Sequence, residues 1–161
     1  MTTMKTLVVY YSRTGNAKFI AETIAANIGA DTEEIVDLKK RGGPIGFLSG
    51  GRDATQGKET EIAPTKRNPK DYDLIIIGTP VWASAPTPAI RTYLNHNDLS
   101  GQKVALFFSA GKENQKAIDK TKGLLTNSQI IAVLSLDEPA NKKEESEKTV
   151  EAWCETLKKL S

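Results

Sequence analysis

The chain is expected to fold as a doubly wound α/β domain, a five-stranded parallel sheet with helices on both faces. Three observations lead there. Short apolar runs rich in β-branched and aromatic residues recur along the chain, as they do in parallel strands buried on both faces. Segments with apolar residues at helical spacing separate these runs. The length, 161 residues, suits one domain with a sizeable core, and no internal repeat or linker divides it.

Residues 5–11 (KTLVVYY) read as the first strand and residues 12–16 (SRTGN) as a turn. From Ala17 the period changes. Ala17, Ile20, Ala21, Ile24, Ala25 and Ile28 recur at helical spacing, and Gly29 stands where the helix would end. Residues 34–38 (EIVDL) look like a short second strand. The stretch 39–70 holds Gly42, Gly43, Gly46, Gly50, Gly51 and Gly57, and a structureless loop of that length would be unusual in a compact domain. A short helix over 44–54 is therefore expected, burying Ile45, Phe47 and Leu48 while its glycines allow close packing.

Residues 73–79 (DLIIIGT) form the clearest buried strand, followed by a loop over 80–87. Pro86 or Pro88 suits a first helical turn, and Ile90, Tyr93 and Leu94 give that helix its packing face. Residues 103–109 (KVALFFS) make the fourth strand, 114–122 a helix through Ala117 and Ile118, and 129–136 the fifth strand. Asn141 and Glu144 have capping-box spacing. Val150, Trp153, Cys154, Leu157 and Leu160 then line one stripe of a final helix.

Composition excludes several classes. Hydrophobic residues make up 39% and charged residues 26%, as in ordinary globular domains. No apolar run approaches the roughly 18 residues of a membrane span. The apolar start runs straight into a turn with no small-residue cleavage site, so it reads as a strand and not a signal peptide. The sole cysteine, Cys154, permits no internal disulfide and fits a reducing, cytoplasmic setting. Its place in the helix stripe assigns it to the core. With one histidine, His96, in a polar turn, no metal site is expected. A formal charge of +2 does not announce nucleic-acid binding. The charge is uneven, however. Residues 38–70 hold eight Lys or Arg against three Asp or Glu, which fits either a solvated loop or a docking surface for an acidic partner.

In an open parallel sheet, ligands bind beyond the carboxyl ends of the strands. Three loops leave those ends. The first, Ser12, Arg13, Thr14, Gly15, Asn16 and Ala17, follows a strand and opens a helix. Helix starts carry unpaired N–H groups and a positive dipole end; Ser12 and Thr14 add hydroxyls, and Gly15 permits a tight bend. That combination suits a phosphate. It is neither the GxxxxGK[ST] loop of nucleotide hydrolases nor the GxGxxG of dinucleotide folds, so a monophosphate fits best. A plain helix cap is the alternative. The second loop, Thr79, Pro80, Val81 and Trp82, sets a broad indole just past the third strand, where it can meet a flat ring or serve as a rim aromatic alone. The third, Ser109, Ala110 and Gly111, is small enough for a planar ligand to approach the backbone.

With these residues in view, the chain resembles the flavodoxin family over nearly its whole length. YYSRTGNAKFIAETIA resembles the phosphate-binding loop and first helix, DYDLIIIGTPVWASAPTPAIRTYL the third strand and first ring-side loop, and KVALFFSAGKENQKAI the fourth strand and second ring-side loop. The resemblance implies strand order 2-1-3-4-5, noncovalent FMN and electron transfer. It assigns Ser12 through Ala17 to the phosphate, and Thr79, Pro80, Val81, Trp82, Ser109, Ala110 and Gly111 to the ring. The chain departs from many relatives in having Ala17 in place of a hydroxyl residue, no aromatic in residues 109–113, no Gly after Trp82, and a pI near 8.6.

Nothing in the sequence forms a dedicated acid, base or nucleophile set. The leading expectation is an electron carrier shuttling between redox proteins, monomeric or weakly dimeric, with an acidic partner docking on Lys39, Lys40, Arg41 or Arg52. The rivals are an FMN-dependent NAD(P)H:quinone or related oxidoreductase, in which the flavin supplies the chemistry, and a domain with an empty pocket.

Overall fold

The computed structural model describes residues 4–110 and 114–160. Strands β1 (Thr6–Tyr10), β2 (Asp31–Glu34), β3 (Leu74–Trp82), β5 (Lys103–Ser109) and β6 (Gln129–Leu136) alternate with helices α1 (Asn16–Ile28), α2 (Gly43–Thr55), α3 (Pro88–His96), α4 (Gln115–Gly123) and α5 (Lys143–Leu160). The five strands are parallel, in the spatial order β2-β1-β3-β5-β6. Counted among themselves this is 2-1-3-4-5, as the family resemblance implies. A two-residue strand, β4 (Ala85–Pro86), folds back antiparallel on the end of β3 and was not foreseen within the expected loop. No helix among the described residues is long and apolar enough to cross a membrane.

Side-chain alternation builds two cores. Leu7, Val9, Ile75, Ile77 and Leu106 meet Ile90 and Tyr93 of α3 on one face. Val8, Leu74, Ile76 and Phe107 meet Ile20 and Ile24 of α1 and Val150 and Trp153 of α5 on the other. All four positions Leu74–Ile77 have no exposed surface, as the sequence run demands. Each such burial contributes roughly 1.5–3 kcal/mol. Gly78 lets the sheet close over Phe107, because a Cβ there would stand 1.9 Å from Phe107 Cζ. Cys154 is buried in the second core, and burial pushes its thiol up to about 11.

Four expectations are corrected. The second strand is Asp31–Glu34, not 34–38. Its register against β1 runs from Leu7↔Asp31 to Tyr10↔Glu34. Polar residues are tolerated at this edge because Glu33 is buried as an acceptor for the Lys66 and Arg67 N–H groups. Past Ile35 the chain leaves the sheet and pairs through Asp37↔Ile62, leaving Val36 and Leu38 half-exposed. The capping box is not formed: Asn141 ends a 3-10 turn, and α5 opens at Lys143. Leu160 does not join the buried stripe and is 47% exposed.

The fourth correction concerns α2. The helix exists, but Ile45, Phe47 and Leu48 are 83%, 65% and 70% exposed. Its buried face is Gly46, Gly50, Asp53 and Ala54. A Cβ on Gly46 would stand 2.2 Å from the Arg41 carbonyl carbon, and one on Gly50 2.9 Å from Trp82 Cζ3. The glycines are thus the contact surface, and the larger apolar side chains are turned outward.

Candidate functional site

The turns that follow β1, β3 and β5 share one edge of the sheet, because the strands are parallel and in register: Tyr10 lies beside Gly78, and Pro80 beside Ser109. The chain departs from β1 to β2 on one side and returns to β3 on the other, so this edge carries the topological switch point.

At the first turn, Gly15 takes φ 96° and stands at the N-cap of α1, with open space where a side chain would be. Only glycine holds that conformation without cost. The first i→i−4 bond of the helix runs from Phe19 N–H to Gly15 O. The N–H groups of Asn16, Ala17 and Lys18 therefore lie ahead of the helical ladder, where they face outward as donors. The first helical turn contains no acidic residue. The Gly15 N–H itself donates to Ser12 Oγ at 3.1 Å, so it braces the loop and is not a free donor. Asn16 Nδ2 donates to Thr14 Oγ1, and Asn16 Oδ1 accepts from Ala140 N–H, tying the loop to the 139–141 turn. As acceptors in these bonds, the Ser12 and Thr14 hydroxyls keep their own protons for a ligand. The Ala17 methyl is packed in the α1/α5 core.

At the second turn the predicted residues divide. Thr79 is buried and braces the hairpin: its Oγ1 donates to Pro80 O and accepts from Thr87 N–H. Pro80 is partly exposed. Val81 and Trp82, with Ala83, border a cavity of about 530 Å³ whose other wall includes Phe47, Leu48 and Arg52 from α2. That volume lies within the usual range of ligand pockets, roughly 300–1,000 Å³. Ala83 and Ser84 turn the chain at φ 49° and φ 61°, both left-handed without glycine. Thr55 Oγ1 donates to Ala83 O, and Asn114 Nδ2 donates to Ser84 Oγ while its Oδ1 caps α4. At the third turn, Ser109 and Ala110 are partly exposed beside Pro80, and Ala110 N–H donates to Leu136 O. Gly111 lies outside the described residues.

Trp82 is held on several sides. The Tyr11 ring meets it edge-on, with centroids 5.6 Å apart and planes at 88°. Both the Arg13 and the Arg41 guanidinium carbons stand 5.7 Å from its ring centroid, and Arg13 also lies 5.5 Å from the Phe47 ring. Arg13 therefore links the first loop to the cavity wall. What Trp82 offers a ligand is its surface toward the cavity.

Arg41 was expected on the surface and is instead 6% exposed. Its Nε bonds Asp37 Oδ2 at 2.6 Å and its Nη1 bonds Asp53 Oδ2 at 3.2 Å, while Lys39 Nζ reaches the same Asp53 oxygen at 2.8 Å. Burial opposes the Arg41 charge, but Asp37 and Asp53 more than offset it and hold the guanidinium above its ordinary value. Lys39, against the opposition of burial and with help from Arg41, holds the Asp53 carboxyl below the usual range. Burial, then Asp37, raises the Tyr11 phenol. Arg41 Nη2 is buried without a hydrogen-bond partner, beside the indole. Sequence reading missed Tyr11 and the buried pairing of Arg41 because nothing in residue type distinguishes them from a strand tyrosine and a loop arginine.

His96 ends α3, a helix length away from these turns, and meets Glu59 at 2.6 Å. No group of three or more His, Cys, Asp or Glu gathers for a metal among the described residues. The donors of the first loop and the adjoining apolar cavity together fit a molecule with a phosphate at one end and a planar ring at the other.

Residues 4–140 match the family model of the NADPH-dependent FMN reductases. A Lactobacillus acidophilus flavoprotein, solved in complex with FMN, shares 28% identity over 86% of this chain and 97% of its own, with TM-score 0.74. A Bacteroides uniformis chain described as a flavoprotein shares 22% identity over 96% of this chain and 99% of its own, with TM-score 0.78. Oxidised Flavodoxin 2 from Bacillus cereus shares 21% identity over 96% and 98%, with TM-score 0.64. No curated protein matches the sequence.

Proposed function

Since the chain belongs to the NADPH-dependent FMN reductase family, and FMN is its cofactor, we propose that it is an FMN-dependent oxidoreductase drawing reducing equivalents from NAD(P)H. The observation that carries this reading is the apolar cavity beside Trp82, joined to the loop of residues 12–17 through Arg13. In this reading the N–H groups of Asn16 and Ala17, the hydroxyls of Ser12 and Thr14, and the Arg13 charge hold the phosphate. Each charge-assisted hydrogen bond would contribute roughly 1.5–3 kcal/mol. Val81, Trp82 and Ala83 border the ring on one side, and Ser109 and Ala110 approach it from β5. The Ala83–Ser84 turn beside the ring is braced by Thr55 at the Ala83 carbonyl and by Asn114 at the Ser84 hydroxyl. Bound FMN supplies the hydride and electron chemistry. The protein's part is orientation, a positive setting for the phosphate, and an apolar wall.

A second reading, a carrier between redox proteins, is favoured by the exposed face of α2 next to the cavity. Anaerobic mixing of the FMN-loaded protein with NADPH separates the two. Rapid loss of the oxidised flavin absorbance, with turnover when quinone is added, supports the oxidoreductase. No reduction by NADPH or NADH, with reduction by a reduced redox protein, supports the carrier.

A further inference from the structure

Exposed apolar side chains are concentrated in one stretch of the chain. Six large hydrophobic residues are exposed among the described residues, and five of them, Val36, Leu38, Ile45, Phe47 and Leu48, lie between β2 and the middle of α2. Scattered exposed apolar residues are normal, but a cluster of them marks an interaction surface. The outer face of α2 is not flat. On one side is the cavity of about 530 Å³ shared with Trp82; on the other is a recess of about 240 Å³ walled by Ile45, Leu48, Ser49 and Arg52. Leu48 and Arg52 border both.

The exposed charge on α2 and the segment leading into it is basic, whereas the exposed Glu34 and Glu61 lie farther off, at the end of β2 and beside the Asp37↔Ile62 bridge. Between residues 36 and 58 the carboxylates are Asp37 and Asp53, and both are turned inward onto Arg41 and Lys39. Every exposed charged residue of that segment is basic: Lys39, Lys40, Arg52 and Lys58. Lys39 is engaged by Asp53, whereas Lys40 and Arg52 have no ion-pair partner among the described residues. A second copy of this chain, paired about a two-fold axis, would set this basic rim against itself. A bilayer has no projecting side chain to fill the recess walled by Ile45, Leu48 and Ser49. An acidic protein with apolar side chains at the centre of its contact face satisfies both features.

We propose that the outer face of α2 docks an acidic redox protein, one of whose apolar side chains enters the recess walled by Ile45, Leu48 and Ser49, outside the flavin cavity, and whose carboxylates face Lys40 and Arg52. That the partner is a redox protein rests on the reading of function above; the docking face does not.

The test is calorimetric titration of the FMN-loaded protein with a small acidic two-iron ferredoxin, with a basic cytochrome c of similar size as the control of opposite charge. Ile45→Asn and Lys40→Glu alter exposed positions outside the flavin cavity, so FMN affinity and reduction by NADPH, measured on the same samples, are expected to stay unchanged. Ferredoxin is expected to bind and cytochrome c not to bind. Each variant should weaken ferredoxin about tenfold, and raising salt from about 20 mM to about 300 mM should weaken it further, as screening of the basic rim requires. No ferredoxin binding by flavin-loaded protein, or binding indifferent to both variants, overturns the proposal. Sedimentation that shows a dimer abolished by Ile45→Asn would overturn it in favour of a second copy. Binding to vesicles of phosphatidylserine and phosphatidylcholine that both variants abolish, with ferredoxin unbound, would overturn it in favour of a lipid surface. Failure of the loaded protein to be reduced by NADPH leaves the titration intact and counts against the functional reading alone; failure to take up FMN counts against it too, and the same titration is then run on the flavin-free protein with the same outcomes.

Discussion

The Ala83–Ser84 turn yields a quantitative expectation. The two residues join Trp82 to Ala85, which pair across the hairpin, and both hold left-handed backbone at φ 49° and φ 61°. Two-residue hairpin turns of this kind favour Asn-Gly, because a Cβ crowds the following carbonyl. The crowding costs about 1–2 kcal/mol per non-glycine residue. Replacement by glycine removes that cost but adds about 0.4–1 kcal/mol of unfolded-state entropy. Ala83 is exposed, and its bond to Thr55 uses the backbone carbonyl, so Ala83→Gly loses little else. The net gain is about 0.5–1 kcal/mol, which for a chain of this size raises Tm by about 1–4 °C. Ser84→Gly also removes the bond from Asn114 Nδ2, a loss of about 1 kcal/mol that cancels the relief. Thermal unfolding followed by circular dichroism should show Ala83→Gly stabilised and Ser84→Gly near wild type. An unchanged or lowered Tm for Ala83→Gly would refute the reasoning.

Other expectations follow from the same contacts. Thr14→Ala should weaken FMN by about tenfold or more yet leave riboflavin, which lacks the phosphate, nearly unaffected in parallel fluorescence titrations. Gly46→Ala places a Cβ against the Arg41 backbone, so α2 must shift; a loss of stability of the order of 2 kcal/mol or more is expected, read as a lowered Tm. The depressed Asp53 carboxyl contributes stability that is present above the ordinary carboxylate range and lost as pH falls through its lower folded value. Unfolding midpoints of Asp53→Asn should accordingly fall below wild type at neutral pH and converge with it in acid. Cys154, buried and pushed up to about 11, should resist alkylation at pH about 8 until the chain unfolds; prompt labelling of folded protein would place it outside the core.

The sequence reveals those parts of the fold in which a residue's type dictates its side. Leu74–Ile77 could only be a strand buried on both faces, and SRTGN between a strand and an amphipathic helix could only be a tight turn opening α1. The site loops follow from that order, since parallel strands bring their carboxyl ends to one edge. α2 reads backwards because glycine, which scores as no surface at all, is its packing face, and Ile45, Phe47 and Leu48 are left over for something else. β2 is misplaced by apolar content: EIVDL looks more strand-like than DTEE, yet pairing with β1 decides, and Glu33 is satisfied by backbone donors more than thirty residues away. Arg41 belongs to the same class. Its burial depends on Asp37 and Asp53 converging in space, and no local pattern announces three charges folding onto one another. The absence of Gly after Trp82 is plain in the sequence; that Ala83 and Ser84 adopt the left-handed turn regardless, closed by the Trp82–Ala85 pair and braced by Thr55 and Asn114, is not.

The most direct measurement is a fluorescence titration of the Trp153→Phe protein with FMN. The chain has two tryptophans, so Trp82 is then the sole tryptophan, excited selectively past the tyrosine absorption. FMN should bind with saturable quenching of that emission, and Trp82→Phe in the native background should retain only the weak response of Trp153 in the α1/α5 core. Saturable FMN binding that leaves Trp82 emission unchanged, or no FMN binding at all, would contradict the placement of the flavin at the edge formed by residues 12–17 and the cavity beside Trp82.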